Sequence, residues 1–102
     1  MVSFSKKVYE VVTSIPRGKV ATYSEVARMV GRPRAYRAVG NILHRNPNPK
    51  KIPCHRVVKM NGALTCSFAF GGIMAQKERL EKEGVCVRKN NTVNLGKYAI
   101  TI

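Results

Sequence analysis

The sequence predicts a mainly α-helical domain with short β-strands, organised around a helix-turn-helix. Apolar residues recur at helical spacing near the amino terminus, a capping box introduces a second helix, and a third segment has one apolar and one basic face. Two helices joined by a short glycine-containing turn are typical of a helix-turn-helix. At 102 residues the chain has the size of one small domain, so we expect residues 1–102 to form a single unit.

The first two predicted helices have recognisable ends. Ser3 can cap the first helix, which we expect to stop at Pro16 because proline lacks the amide donor that a helix interior needs. Its apolar stripe consists of Phe4, Val8, Val11, Val12 and Ile15. The second helix follows the capping box Thr22-Tyr23-Ser24-Glu25, in which Thr22 and Glu25 can satisfy each other's ends, and it stops at Gly31.

The third predicted helix has two different faces. Pro33 suits its first position, and we expect it to run to about Arg45. The basic and polar face carries Arg34, Arg37, Asn41 and Arg45. The apolar face carries Ala35, Val39, Ile42 and Leu43. A recognition helix on DNA needs this division, because cations must reach phosphates while the opposite face anchors the helix. The alternative is an ordinary solvated helix face.

Charge favours a polyanionic partner. Lys and Arg number 19 against 5 Asp and Glu, a formal net charge of +14. Such a field attracts nucleic acid, the commonest polyanion. The alternative that charge alone leaves open is a ribosome-like or merely soluble basic protein.

Other classes of protein fit the sequence poorly. Apolar runs are short and broken by charge, which excludes a membrane-spanning helix, and the amino terminus has no secretory h-region. We therefore expect an intracellular protein of the cytoplasm or nucleoid, or of the nucleus in a eukaryote. Three cysteines without a CxxC pair and only two histidines predict neither a zinc site nor a disulfide framework.

The second half of the chain gives shorter signals. IPCHRVV, residues 52–58, is predicted to be extended, and a fourth helix should run from about Ile73 to Lys82 and close at Gly84. A small hairpin is predicted between residues 85 and 95. The alternation of Tyr98, Ile100 and Ile102 predicts one more strand.

Cys54 is the side chain in this sequence that is best suited to act as a nucleophile. A cysteine attacks as its thiolate, so something must favour the anion. His55 is adjacent, but neighbours in an extended segment point to opposite faces, so a bend or a bridging water would be needed to connect them. A small buried thiol is the commoner state of such a cysteine. The residues alone therefore leave a structural thiol and a nucleophile both open.

The stretch RAVGNILHRNPNPKKIPCHRVV, together with the downstream EGV at residues 83–85, resembles the active-site region of the 6-O-alkylguanine-DNA alkyltransferases. The resemblance covers residues 4–87. It implies the winged helix-turn-helix-like fold of that family's carboxy-terminal domain. It also implies that the protein binds double-stranded DNA containing alkylated guanine, flips the base out, and transfers the alkyl group irreversibly to cysteine without a cofactor or a metal.

The resemblance assigns roles to individual residues. Cys54 would accept the alkyl group, His55 would act as a base through a water, and Glu83 would orient the imidazole. Tyr23 would donate a hydrogen bond or proton to the purine, and Asn46 would fix the turn beneath the site. The competing interpretations are structural: Tyr23 could only pack, Asn46 could only begin a turn, and Glu83 could only pair with Lys82 or Arg79 in solvent.

DNA contacts and the pocket are implied in the same way. Arg37 would fill the place of the flipped base, and Gly40 would let the helix approach the minor groove closely. The remaining DNA contacts would come from Arg34, Asn41, Arg45 and Tyr23. The guanine pocket would be lined by Pro49, Val57, Ser67 and Phe68. We expect the protein to act as a monomer.

The chain also departs from the family pattern. Most members carry a further amino-terminal domain, which we expect to be absent here. Asn48, Lys50 and Lys51 replace residues that are usually apolar, which predicts an exposed surface. The loop 64–72 is longer than usual, so Ser67 and Phe68 cannot be matched to individual base-contacting positions. Gln76 stands where a lysine is usual.

Two other functions remain as alternatives. Alkyltransferase-like proteins recognise alkylated guanine and recruit repair factors without accepting the alkyl group, and they lack the motif cysteine; Cys54 therefore favours the enzyme. A helix-turn-helix transcription factor would require the PCHRV motif and Glu83 to be coincidental.

Overall fold

The computed structural model describes residues 3–45, 51–64 and 72–100. Mostly helical elements with one short parallel sheet make up this part of the chain, which confirms the predicted fold class. In chain order the elements are α1 (Phe4–Thr13), β1 (Ala21–Thr22), α2 (Tyr23–Met29), α3 (Tyr36–His44), a 3-10 turn (Cys54–Arg56), β2 (Val57–Val58), α4 (Gly72–Lys82) and α5 (Leu95–Tyr98).

The predicted beginnings of α1 and α2 are confirmed. The Ser3 hydroxyl accepts the Lys6 N–H at 3.2 Å, and the Thr22 hydroxyl accepts the Glu25 N–H at 3.1 Å. Each bond satisfies one of the N–H groups that a helix leaves unpaired in its first turn. α1 ends at Thr13, ahead of Pro16.

α3 begins at Tyr36 rather than at the predicted Pro33. The backbone before it is used to close the turn from α2, because the Arg32 N–H donates to Ala27 O and the Ala35 N–H donates to Arg32 O, both at 2.9 Å. The far end of α3 is tied to α1 by the Tyr9 hydroxyl, which donates to Ile42 O at 3.0 Å. α2 and α3 pack against each other and against α1, as in the predicted helix-turn-helix.

The short sheet lies between two hydrophobic clusters. β1 and β2 pair in parallel, with Ala21 opposite Val57 and Thr22 opposite Val58. Successive side chains of a strand face opposite sides, so Val57 joins the first cluster and Val58 the second. The first cluster combines α1, α2 and α3 with Cys54. The second contains Val20, Val58, Leu64, Leu80, Val85, Val87, Val93 and Tyr98.

Two predictions about extended segments are wrong in part. Within residues 52–58 only β2 is extended; Cys54–Arg56 forms a 3-10 turn, closed by the Arg56 N–H donating to Pro53 O at 3.0 Å. Tyr98 lies in α5 because Asn94 O accepts the N–H groups of Lys97 and Tyr98. The predicted last strand is reduced to one parallel bridge between Val20 and Ala99, in which the Val20 N–H donates to Tyr98 O and the Ile100 N–H donates to Val20 O, both at 2.9 Å.

The rest of the tail follows the prediction more closely. The predicted hairpin reduces to a turn with one antiparallel bridge between Val87 and Val93. α4 ends at Lys82 as predicted, and Gly84 follows it with a φ of +87°. Ile102 lies outside the described residues. In the described part of the chain, no helix combines the length and apolarity that crossing a bilayer requires.

Gly62 and Gly31 provide a matched test of packing at the second cluster. Both have positive φ, +85° and +84°, but an added Cβ would lie 2.5 Å from Val93 O at Gly62 and would meet nothing within 4 Å at Gly31. We expect Gly31→Ala to lower the free energy of unfolding by about 1 kcal/mol, the cost of the left-handed backbone. Gly62→Ala should cost about 3 kcal/mol, because the overlap adds to it. Urea unfolding measures both, and equal losses would contradict the overlap.

Candidate active site and nucleic-acid interface

Cys54 opens the 3-10 turn and is buried within the first hydrophobic cluster. Its side chain is 4% exposed, and its N–H donates to Ile52 O at 2.8 Å. A 3-10 helix has three residues per turn, so the side chains of Cys54 and His55 diverge by a third of a turn instead of pointing to opposite faces. The backbone therefore bends at this point, as the sequence prediction required if the two side chains were to be connected.

His55 and Glu83 meet at the end of α4. His55 Nε2 lies 3.0 Å from Glu83 Oε2, an ion-pair distance, and both side chains are 8% exposed. The orientation falls short of a hydrogen bond, and neither ring nitrogen has a hydrogen-bond partner among the described residues. The interpretation of Glu83 as a solvated partner of Lys82 is wrong, because Lys82 pairs with Glu78 at 3.2 Å on the surface.

Arg56 is a site residue that the sequence interpretation missed. Its Nε donates to Glu83 Oε1 at 2.9 Å and its Nη2 donates to Glu83 Oε2 at 2.7 Å, a bidentate pair. Its Nη1 donates to Ile15 O at 2.7 Å, beyond the end of α1. The composition could have indicated such a pair. With only 5 acidic residues against 19 basic ones, each carboxylate has several potential cationic partners.

His55, Glu83 and Arg56 form a triad of charged and polar side chains, and its electrostatics favour a neutral imidazole. Burial lowers the pKa of His55 and outweighs the raising effect of Glu83, while Arg56 and Arg79 lower the pKa further. Burial would raise the pKa of Glu83, but the hydrogen bonds that Arg56 donates, together with the His55 ring 3.0 Å away, keep that pKa below its ordinary value. At neutral pH the site therefore holds a carboxylate and an uncharged imidazole, the form that can accept a proton.

Gln76 fixes the backbone on either side of Arg56. It is fully buried on α4, and its Nε2 donates to His55 O at 3.1 Å and to Val57 O at 3.0 Å. Buried carbonyl groups need such donors, and a neutral amide supplies two N–H groups without burying a charge. Gln76, which stands where the family usually has a lysine, therefore holds the turn that carries Cys54.

The predicted DNA-binding side chains share the outer face of α3 and its approach. Arg34, Arg37, Asn41 and Arg45 are all exposed, as predicted. Val39 and Leu43 are buried on the opposite face, as predicted. An added Cβ at Gly40 would meet only the ring of Tyr23, at an ordinary 3.8 Å. The internal packing of the described residues therefore does not require glycine at this position.

Several of the predicted residues lie outside the part of the chain that the structure describes. They are Asn46, Pro49, Ser67 and Phe68 of the predicted site, together with Asn48 and Lys50. Val57 is described and is fully buried in the same cluster as Cys54. Lys51 is exposed, as predicted. Within the ranges 3–45, 51–64 and 72–100, no group of three or more His, Cys, Asp or Glu could hold a metal ion.

The chain is similar both to methyltransferases and to proteins named as base-flipping or alkyltransferase-like. A "DNA base-flipping protein" of Escherichia coli is 40% identical over 96 residues, 94% of this chain and 73% of that protein. "Alkyltransferase-like protein 1" of Schizosaccharomyces pombe is 38% identical over 102 residues, covering 92% of that protein. A methylated-DNA–protein-cysteine methyltransferase of Methanosarcina barkeri is 50% identical over 68 residues, 67% of this chain but 42% of the methyltransferase.

The fold agrees with these sequence relationships. A crystal structure of S. pombe Atl1 in complex with damaged DNA containing O6-carboxymethylguanine superposes with a TM-score of 0.86 and 37% identity, covering 100% of both chains. Residues 3–85 match the DNA-binding domain of 6-O-methylguanine DNA methyltransferase. That match includes the helix-turn-helix, Cys54, His55 and Glu83, and the chain belongs to this 6-O-methylguanine DNA methyltransferase family.

Proposed function

We propose that this protein recognises alkylated guanine in duplex DNA and transfers the alkyl group to Cys54 in a single, irreversible turnover. The observation that carries the proposal is the position of Cys54 in the chain. It directly precedes His55, which is neutral and whose Nε2 lies 3.0 Å from the Glu83 carboxylate. A thiol beside a base that is itself oriented by a carboxylate is the usual arrangement of an activated cysteine nucleophile.

The proposed transfer balances without a cofactor. The Cys54 thiol gives its proton through a water to His55 Nδ1, because Nε2 faces Glu83. The thiolate attacks the alkyl carbon, the new carbon–sulfur bond forms, and the carbon–oxygen bond to guanine breaks with its electron pair remaining on the base. Tyr23, at the first position of α2, supplies a hydrogen bond or proton to the departing purine. The imidazolium then faces the Glu83 carboxylate, which stabilises its charge.

Access to the alkyl carbon requires the guanine to leave the stack. The exposed cations of α3 are suited to hold the phosphates, and Arg37 to occupy the vacated place in the duplex. Gly40 supports this arrangement, since a side chain at this position would meet only the Tyr23 ring at an ordinary distance. Its lack of a side chain leaves room for the minor groove of a bound duplex.

A second candidate function is recognition without transfer. It is favoured by the similarity to the S. pombe alkyltransferase-like protein, which covers this chain and 92% of that relative, whereas the match to the M. barkeri methyltransferase covers 42% of the enzyme. Both functions use the same α3 surface and differ only in what happens at Cys54.

Alkyl transfer predicts a covalent mark on one residue. After incubation with a duplex containing methylguanine, intact mass and peptide mapping should find one methyl group per molecule, on Cys54. The Cys54→Ser protein should carry none, because a hydroxyl with its much higher pKa is a poor nucleophile here. Cys86→Ser, which changes an exposed cysteine, is the matched control and should be methylated like the wild type. Tight lesion binding without any adduct would favour the second candidate.

The Glu83 carboxylate should matter for stability as well as for transfer. Glu83→Gln leaves Arg56 without its ionic partner, and we expect a loss of about 3 kcal/mol in the free energy of unfolding. Glu78→Gln, in the exposed pair with Lys82, should cost less than about 0.5 kcal/mol. Methyl transfer by Glu83→Gln should slow by about 10²-fold, because the imidazole loses its orienting group. Equal unfolding costs for the two variants would exclude a structural role for the triad.

The free energy of unfolding should depend on pH, and the direction follows from the pKa shifts of His55 and Glu83. The pKa of His55 is lower in the folded protein than in the unfolded chain. The unfolded chain therefore binds more protons below about pH 6.5, and the free energy of unfolding falls as pH falls. Glu83 adds a further loss at lower pH, since its folded pKa is also lowered. In Glu83→Gln this second loss should be missing from urea unfolding measured across pH.

Arg37 should act on lesion handling and Arg45 on general affinity. Arg37→Ala should reduce the preference for damaged over undamaged duplex by about tenfold, because the vacated place in the duplex is no longer filled. Arg45→Ala should weaken binding to both duplexes equally, as expected for a phosphate contact. Arg88→Ala, in the exposed turn near residue 90, is the control and should change neither. Equal losses for Arg37→Ala on the two duplexes would contradict its proposed role.

A further inference from the structure

A second basic region lies away from α3, on the side of His55 that faces α4. It is a cavity of about 390 Å³, which we call the α4 cavity. Its lining comes from the turn after α1, the 3-10 turn and the end of α4, and no residue of α3 contributes. The lining residues are Arg17, Pro53, His55, Arg56, Arg79, Lys82 and Glu83.

The charge of the α4 cavity is strongly positive. Four cations and one carboxylate line it, a net charge of +3 with His55 neutral. Arg17 is fixed at the rim, since its Nη2 donates to Lys82 O at 3.0 Å. Arg79 and Lys82 are three residues apart on α4, so they share one face of the helix. Arginine forks match the oxygen geometry of phosphate and carboxylate.

Unused hydrogen-bonding groups border the same cavity. His55 is 7% exposed, and both of its ring nitrogens lack a hydrogen-bond partner among the described residues. A buried polar group in this state calls for a ligand, water or ion. Arg56 has five N–H donors, of which Glu83 and Ile15 use three. The two remaining N–H groups of Arg56 are available to an anion that enters the cavity, and the His55 ring, whose Nε2 lies 3.0 Å from Glu83 Oε2, borders the same space.

We propose that the α4 cavity binds a small oxyanion, a phosphate or a carboxylate, through Arg17, Arg79 and Lys82, with His55 as the group that senses it. A bound anion favours the imidazolium, because the protonated ring donates from both nitrogens. The groups that face the ring and oppose or assist this change are Glu83, Arg56 and Arg79. The proposal concerns the protein without DNA, so it does not depend on whether Cys54 accepts an alkyl group.

The two histidines allow an internally controlled test. His44 is exposed at the end of α3, whereas His55 lines the cavity. At pH 6 and constant ionic strength, inorganic phosphate replaces chloride while the ring signals of both histidines are followed by NMR. We expect the His55 signals to move saturably toward those of imidazolium and the His44 signals to stay in place. Parallel movement of both, or movement of neither, would overturn the proposal.

Paired variants identify the site. Arg79→Gln combined with Lys82→Gln should raise, by at least tenfold, the phosphate concentration that moves the His55 signals halfway. Arg88→Gln combined with Lys89→Gln removes the same charge from an exposed turn and should leave the response unchanged. Arg17→Gln alone, which removes a rim contact without altering α4, should weaken it to a lesser extent. An unchanged response in the Arg79 and Lys82 variant would overturn the assignment.

Further titrations distinguish the source of the anion. Acetate acting like phosphate would point to a carboxylate, such as an acidic side chain of a partner protein. A response to phosphate alone would point to a phosphate or phosphate monoester. Displacement of phosphate by an undamaged duplex would mean that the cavity belongs to the DNA backbone interface, and the proposal of a separate small-anion site would then be wrong.

Discussion

The pairing of Arg56 with Glu83 is the interaction on which the arrangement of the site depends. The two hydrogen bonds of the pair connect the 3-10 turn to the end of α4, and a third from Arg56 reaches the Ile15 carbonyl beyond α1. Bidentate pairs of arginine and carboxylate restrict geometry more than single contacts do. Because Arg56 holds Glu83, the carboxylate is placed beside the His55 ring. The turn that carries Cys54 is thereby fixed in relation to two helices.

The surroundings of His55 set its charge state. Burial of the ring lowers the pKa of His55 most, and the positive charge of Arg56, which holds Glu83 in place, lowers that pKa further. Glu83 acts in the opposite direction and is outweighed. The result is a base that is unprotonated at neutral pH, in contact with a carboxylate that can stabilise it once it is charged. Gln76 contributes rigidity through hydrogen bonds to backbone on both sides of Arg56.

The basic face of α3 and the segment around Cys54 lie on different parts of the scaffold. α3 rests on α1 and α2 through buried apolar residues and presents its cations outward. The 3-10 turn and the end of α4 carry Cys54, His55 and Glu83, and the β1–β2 pair joins the two regions because its side chains alternate between the two hydrophobic clusters. Changes in what happens at Cys54 can therefore occur without changes in the DNA-binding surface. This separation is consistent with a family whose members include both methyltransferases and base-flipping proteins.

Features that depend on residues close together in the chain could be predicted from the sequence. The caps at Ser3 and Thr22, the stripe of α1 and the two faces of α3 follow from spacings of three and four residues, and the PCHRV motif pointed to the segment whose His55 lies against Glu83. Tertiary structure decided the partners of Glu83, the burial of Gln76 and the placement of Tyr98 in a helix. These outcomes depend on which distant carbonyl or cation satisfies each polar group, and periodicity along the chain does not contain that information.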